Sequence, residues 1–150
     1  MDFVKKNWAN ILMATLSLVG AIFAIVYLAA LSDIFDGESN SFQMMSNAIG
    51  FMIFFLGLLA FFVCKMLPVS KKITAAILMA TGLLASIFLI IFLAELADST
   101  SDWPSSMSSE RNAQIMPALV YLFAFGLLPL VAGAKMLCAC FCKKDADAKK

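Results

Sequence analysis

The sequence predicts an all-α integral membrane four-helix bundle, built from two tandem transmembrane hairpins in the same orientation. Three observations predict it: four long apolar runs, lysines gathered at alternate connections, and a repeat of the first half in the second. Of 150 residues, 63% are apolar, 14% are charged and none is histidine. Ordinary globular domains hold about 45–50% apolar and about 25% charged residues. This chain therefore has too little polar material to cover a water-facing surface, which excludes a soluble enzyme or a nucleic-acid binder. Without histidine the usual general base and the commonest metal ligand are missing. Neither enzymatic activity nor a cofactor is expected.

The apolar runs cover residues 8–31, 48–67, 73–97 and 115–137. Each holds roughly 20–25 residues, which at about 1.5 Å per residue matches a hydrocarbon core of about 30 Å. Lipid offers no hydrogen bonds to the backbone, so each run should be a helix. Pro68 ends the second.

Charge orients the spans. Lys5 and Lys6 precede span one; Lys65, Lys71 and Lys72 lie between spans two and three. Lys135, Lys143, Lys144, Lys149 and Lys150 end or follow span four. The other two connections, 32–47 and 98–114, carry Asp33, Asp36, Glu38, Asp98, Asp102 and Glu110, with Arg111 as their one basic residue. Ten of the eleven basic residues thus fall on one side. The positive-inside rule places both termini in the cytoplasm and the two acidic connections outside, in a plasma membrane. Span one is longer than the apolar core of a signal peptide, which holds about 7–15 residues, so it is expected to be retained.

The repeat joins residues 1–68 to 69–142, leaving 143–150 as a charged cytoplasmic tail. Lys5-Lys6 and Ile11-Leu12-Met13-Ala14-Thr15 recur as Lys71-Lys72 and Ile77-Leu78-Met79-Ala80-Thr81. After a one-residue gap, Leu18, Ile22, Phe23, Leu31 and Asp33 pair with Leu83, Ile87, Phe88, Leu96 and Asp98. Spans two and four match through Phe54, Gly57, Leu58 and Leu59 against Phe123, Gly126, Leu127 and Leu128. Both hairpins enter and leave on the same face, unlike the inverted repeats of many secondary transporters.

Because lipid is as apolar as leucine, close backbone approach and polar contacts hold such helices together. Gly20 and Ala21 in span one occupy the repeat positions of Ala85 and Ser86 in span three, which predicts that these two spans meet through small residues. Phe51, Phe54, Phe55, Phe61 and Phe62 cover more than one face of span two and read as a lipid-facing or neighbour-facing surface. Pro129 removes a backbone hydrogen bond inside span four, and Gly126 eases the expected kink.

Few residues offer chemistry. Glu95 is the one acidic residue within the runs, near the outer end of span three. It is either an interfacial carboxylate reaching water or, with Asp33 and Asp98, a pore-mouth or cation site. Cys138, Cys140 and Cys142 before Lys143-Lys144 suit S-palmitoylation; thiolate metal binding and a plain membrane-edge role are the alternatives, and no metal site is expected. The Ser-rich stretch 105–109 carries little folding information, and the tail is read as disordered.

Four spans, cytoplasmic termini and a cysteine-lysine tail are similar in outline to tetraspan proteins such as claudins and tetraspanins. The exterior cysteine motifs that define both are missing, and topology alone assigns no family. The function expected is that of a small non-enzymatic membrane protein acting by assembly, in the first place a homo-oligomeric channel or pore. An accessory or scaffold subunit is the alternative, and a small-molecule transporter has less support. The partners expected are the lipid bilayer, copies of itself or other membrane proteins, and inorganic cations, with no nucleic acid.

Overall fold

The computed structural model describes residues 2–34, 41–102 and 104–147, with side-chain surroundings for 3–31, 45–102 and 104–141. The chain is helical throughout these: α1 (Asp2–Ile34), α2 (Ser41–Met66) and α3 (Lys71–Ser99). A 3₁₀ turn (Ser105–Met107) then leads into α4 (Ser108–Tyr121), a π-helical segment (Leu122–Leu127) and α5 (Leu128–Asp147), which together form the fourth span. Four stretches are long and apolar enough to cross a membrane: Phe3–Leu31, Met45–Met66, Lys71–Ser99 and Ser105–Phe141. The architecture is the all-α four-helix bundle expected. Its outer surface is apolar, with Phe23 71% exposed and Trp8 and Val131 each 63% exposed. In water such a surface would aggregate; in a bilayer it faces the solvent it prefers.

The helices outrun their apolar cores. Ser70 starts α3 by accepting the Lys72 N–H at 3.3 Å, and Thr100 closes it by donating its hydroxyl to the Leu96 carbonyl at 2.9 Å. The connection expected over 32–47 is shorter than read: α1 continues to Ile34 and α2 already begins at Ser41. Asp36 and Glu38 lie outside the described residues. The Ser-rich stretch is a 3₁₀ turn running into α4. Serine suits a helix start, and Glu110 in the first turn of α4 complements the positive end of the helix dipole. The tail is likewise helical as far as Asp147. Lysine and alanine are good helix formers, so a helix already held by span four continues through them.

Neighbours in sequence are neighbours in space. α1 packs on α2, α2 on α3, and α3 on the fourth span; among the described residues α1 meets α2 alone. The seam of α1 is Ala14, Ser17, Ala21, Ala24 and Leu31, all buried and spaced by three, four, three and seven residues. Half-buried Asn7, Asn10 and Leu28 continue the same stripe. Such a spacing keeps one narrow face on the partner helix, and small residues let the backbones close.

The expected meeting of spans one and three therefore does not form among the described residues. A Cβ on Gly20 would instead meet the ring of Phe55 on α2, and Ser86 faces Gly126 of the fourth span. Short connections set consecutive helices side by side, so each small-residue face serves the adjacent span.

α3 is packed on two faces. On one, Thr81 lies against Gly57 and Leu89 against Gly50, both on α2. On the other, Gly82 approaches the backbone of Leu130, Ser86 lies at Gly126 and Met79 at Gly133. Glycines thus mark both contact lines, where a side chain on either helix would hold the backbones apart.

Pro129 is met by the π segment that precedes it. Proline has no N–H and its ring crowds the carbonyl four residues back. Widening the turn over Leu122–Leu127 shifts the pairing, so that the Leu128 N–H donates to the Phe123 carbonyl. Pro117 inside α4 is a second interruption of the same span.

Candidate functional site

Glu95 is half-buried on α3, and its Oε2 atom is buried with no hydrogen-bond partner among the described residues. Asp98 follows one turn later and is exposed. Three residues apart on a helix, the two share a face. Asp33 belongs to α1, with its side chain outside the described residues. Because α1 does not meet α3, Asp33 does not join the other two by direct contact of those helices.

Cys138 and Cys140 do not share one site. Cys138 is exposed on α5, whereas Cys140 is half-buried. Residues two apart on a helix point in different directions, so the two thiols serve different surroundings. Cys64 is half-buried on α2, and the side chain of Cys142 lies outside the described residues.

Hydroxyls within the spans are turned back onto their own helices. Thr15 donates to the Ile11 carbonyl at 3.0 Å, Ser17 to Met13 at 2.8 Å and Thr81 to Ile77 at 2.8 Å. A hydroxyl satisfied four residues back has its donor committed. Ser86 differs: its Oγ is buried beside Gly126 with no partner among the described residues.

A feature that sequence reading missed is a trough of about 540 Å³ floored by α2 and walled by α1 and the fourth span. It exists because, among the described residues, α1 and the fourth span both flank α2 without meeting each other. Gly20 and Ala24 open the α1 wall, with Phe23 and Tyr27 beside them. Phe51 and Phe55 form the floor, and Tyr121 and Phe125 the far wall. The rings interlock edge to face: Phe51 lies 5.3 Å from Tyr121 and 5.2 Å from Phe125, and Phe54 is 4.7 Å from Phe125. Such pairs contribute about 0.5–1.5 kcal/mol each beyond area burial. Phe51, Phe54 and Phe55 of α2, expected to face lipid or a neighbour, thus face a neighbour. Asn47 is the polar residue on the trough lining beside the two phenols, and its Oδ1 is buried without a partner among the described residues. The signal available in the sequence was slight: the chain has two tyrosines, and both border this trough.

Comparison with known proteins gives no match: no family model, no curated protein and no solved structure matches the chain.

Proposed function

We propose that the protein is a non-enzymatic accessory or scaffold subunit that works by lateral assembly within a membrane. The observation that carries this reading is the aromatic trough, left open because consecutive packing brings α1 and the fourth span to α2 but not to each other. Its occupant is a transmembrane helix of a partner protein. Among the described residues the lining holds no charged group, and Asn47, Tyr27 and Tyr121 offer an amide and two phenols. An apolar helix carrying one or two hydroxyl or amide groups complements that set. The inward donation of Thr15, Ser17 and Thr81 supports assembly over conduction, since these hydroxyls have no donor to spare for a lumen. The lysine distribution supports an orientation with both termini cytoplasmic.

Purification from its native membrane into lipid nanodiscs tests this reading, with copy number and companions read by mass. A co-purifying membrane protein that is lost on Phe23→Ala supports it. A closed ring of identical copies overturns it.

The channel reading has one observation in its favour, the buried Oε2 of Glu95, which has no partner among the described residues. An intramembrane carboxylate without a protein partner is a reasonable ligand for a cation when several copies surround one axis.

A further inference from the structure

At the lysine-bearing end of the molecule, α3 begins beside the close of α5. Lys71 and Lys72 open α3 and are exposed, while Ser70 caps the helix by accepting the Lys72 N–H. Opposite them α5 presents Met136, Ala139 and Cys140, and a cavity of about 590 Å³ lies between the two helices. Lys72 is held in place there: its Nζ sits 4.8 Å from the centroid of the Phe141 ring. A cation over an aromatic face is attracted by the ring quadrupole, so the ammonium stays at the cavity rim. Among the described residues, two ammonium groups thus stand above an apolar floor with no carboxylate in the cavity lining, where the spans leave the hydrocarbon.

We propose that this cavity binds the headgroup of an anionic phospholipid. The phosphodiester lies between the ammonium groups of Lys71 and Lys72, and an acyl chain runs along Met136 and Ala139 towards the membrane interior. Basic pockets between transmembrane helices at one membrane face suit anionic headgroups. A free phosphate would satisfy the charge and leave the apolar floor unused; a chain-bearing lipid uses both. Each lysine near the surface contributes a roughly fivefold preference for an anionic over a neutral headgroup, or about 25-fold for the pair. The inference is independent of whether the protein is a scaffold or a pore.

The full chain in detergent is titrated with phosphatidylglycerol and, separately, with phosphatidylcholine of the same acyl chains, and bound lipid is counted by native mass spectrometry. Phosphatidylglycerol is expected to bind about 25-fold more tightly. The double variant Lys71→Gln, Lys72→Gln is expected to lose most of that preference. The control Lys5→Gln, Lys6→Gln removes equal charge from α1, which does not meet α3, and is expected to keep it. Equal binding of the two lipids, or equal losses in the two double variants, overturns the proposal. So does displacement of bound phosphatidylglycerol by soluble glycerophosphate, which would mark a site for free phosphate.

Discussion

Gly82 of α3 lies directly on the backbone of Leu130 in α5. A Cβ at position 82 would overlap the Leu130 nitrogen, stand 2.7 Å from its Cα and 2.8 Å from the Gly126 carbonyl oxygen. Backbone cannot swing aside as a side chain does, so Gly82→Ala must part the helices. The expected cost is about 1–3 kcal/mol, the range for overpacking, read as a lowered unfolding midpoint in detergent. Gly20→Ala is expected to cost less, because its methyl meets the ring of Phe55 beside the open trough. Equal costs would mean that the α3–α5 contact is looser than described.

The hydroxyls of Thr81 and Ser86 are expected to respond oppositely to removal. Thr81→Val breaks a 2.8 Å bond to the Ile77 carbonyl and should cost about 0.6 kcal/mol, the usual worth of a side-chain hydrogen bond in a membrane. Ser86→Ala deletes a buried oxygen without a partner among the described residues. It should be neutral or stabilising, since an unsatisfied polar group costs about 1–3 kcal/mol. A clear loss of stability in Ser86→Ala would show that its hydroxyl is bonded after all.

Pro129→Ala restores the missing N–H, yet the π segment is expected to persist. One recovered hydrogen bond contributes about 1 kcal/mol. Returning to a regular helix would rotate α4 against α5 and dismantle three ring contacts of Phe51 and Phe54 with Tyr121 and Phe125, each worth about 0.5–1.5 kcal/mol. A disulfide cross-link between cysteines placed at Phe51 and Tyr121 should form equally well with and without Pro129. Loss of that cross-link in Pro129→Ala would mean that proline alone holds the wide turn.

Glu95→Gln separates the two functional readings. A scaffold keeps its companions and copy number when this charge is removed. A cation pathway would instead lose selectivity in reconstituted vesicles, with flux measured under a salt gradient. Altered selectivity would favour the pore; unchanged association and no flux in either protein favour the scaffold.

In a host that S-acylates membrane proteins, Cys138 is expected to be labelled by an alkyne palmitate ahead of Cys140. The first is exposed and the second half-buried at the lipid-headgroup cavity. Hydroxylamine-sensitive label that survives Cys138→Ser unchanged would remove this assignment.

The spans were legible because lipid imposes a demand on every residue of a crossing helix, and runs such as 73–97 meet it continuously. Helix ends were not, because beyond the apolar core a helix continues as far as residues such as Ser41 or Lys143 permit, and hydropathy is silent there. The stripe of Gly20 and Ala21 was visible, but not the helix it would meet. A small face fits any neighbour with a bulky surface, and chain connectivity chose α2. The trough was hidden for a related reason: it is a space between three helices, set by which pairs of helices fail to touch. Lys71 and Lys72 stood out by charge alone, whereas the cavity beneath them needed α5 to be in place.

Consecutive packing also sets the order in which the molecule comes apart. Among the described residues α1 is tethered to α2 alone, through one seam rich in alanine with one serine, and no distant span reinforces it. Energies in such an array sum along the chain from one interface to the next, as in solenoid proteins. Pulled from the N-terminus, the polypeptide should leave the membrane helix by helix, α1 first and at the lowest force, with the α3–α5 glycine contact yielding late.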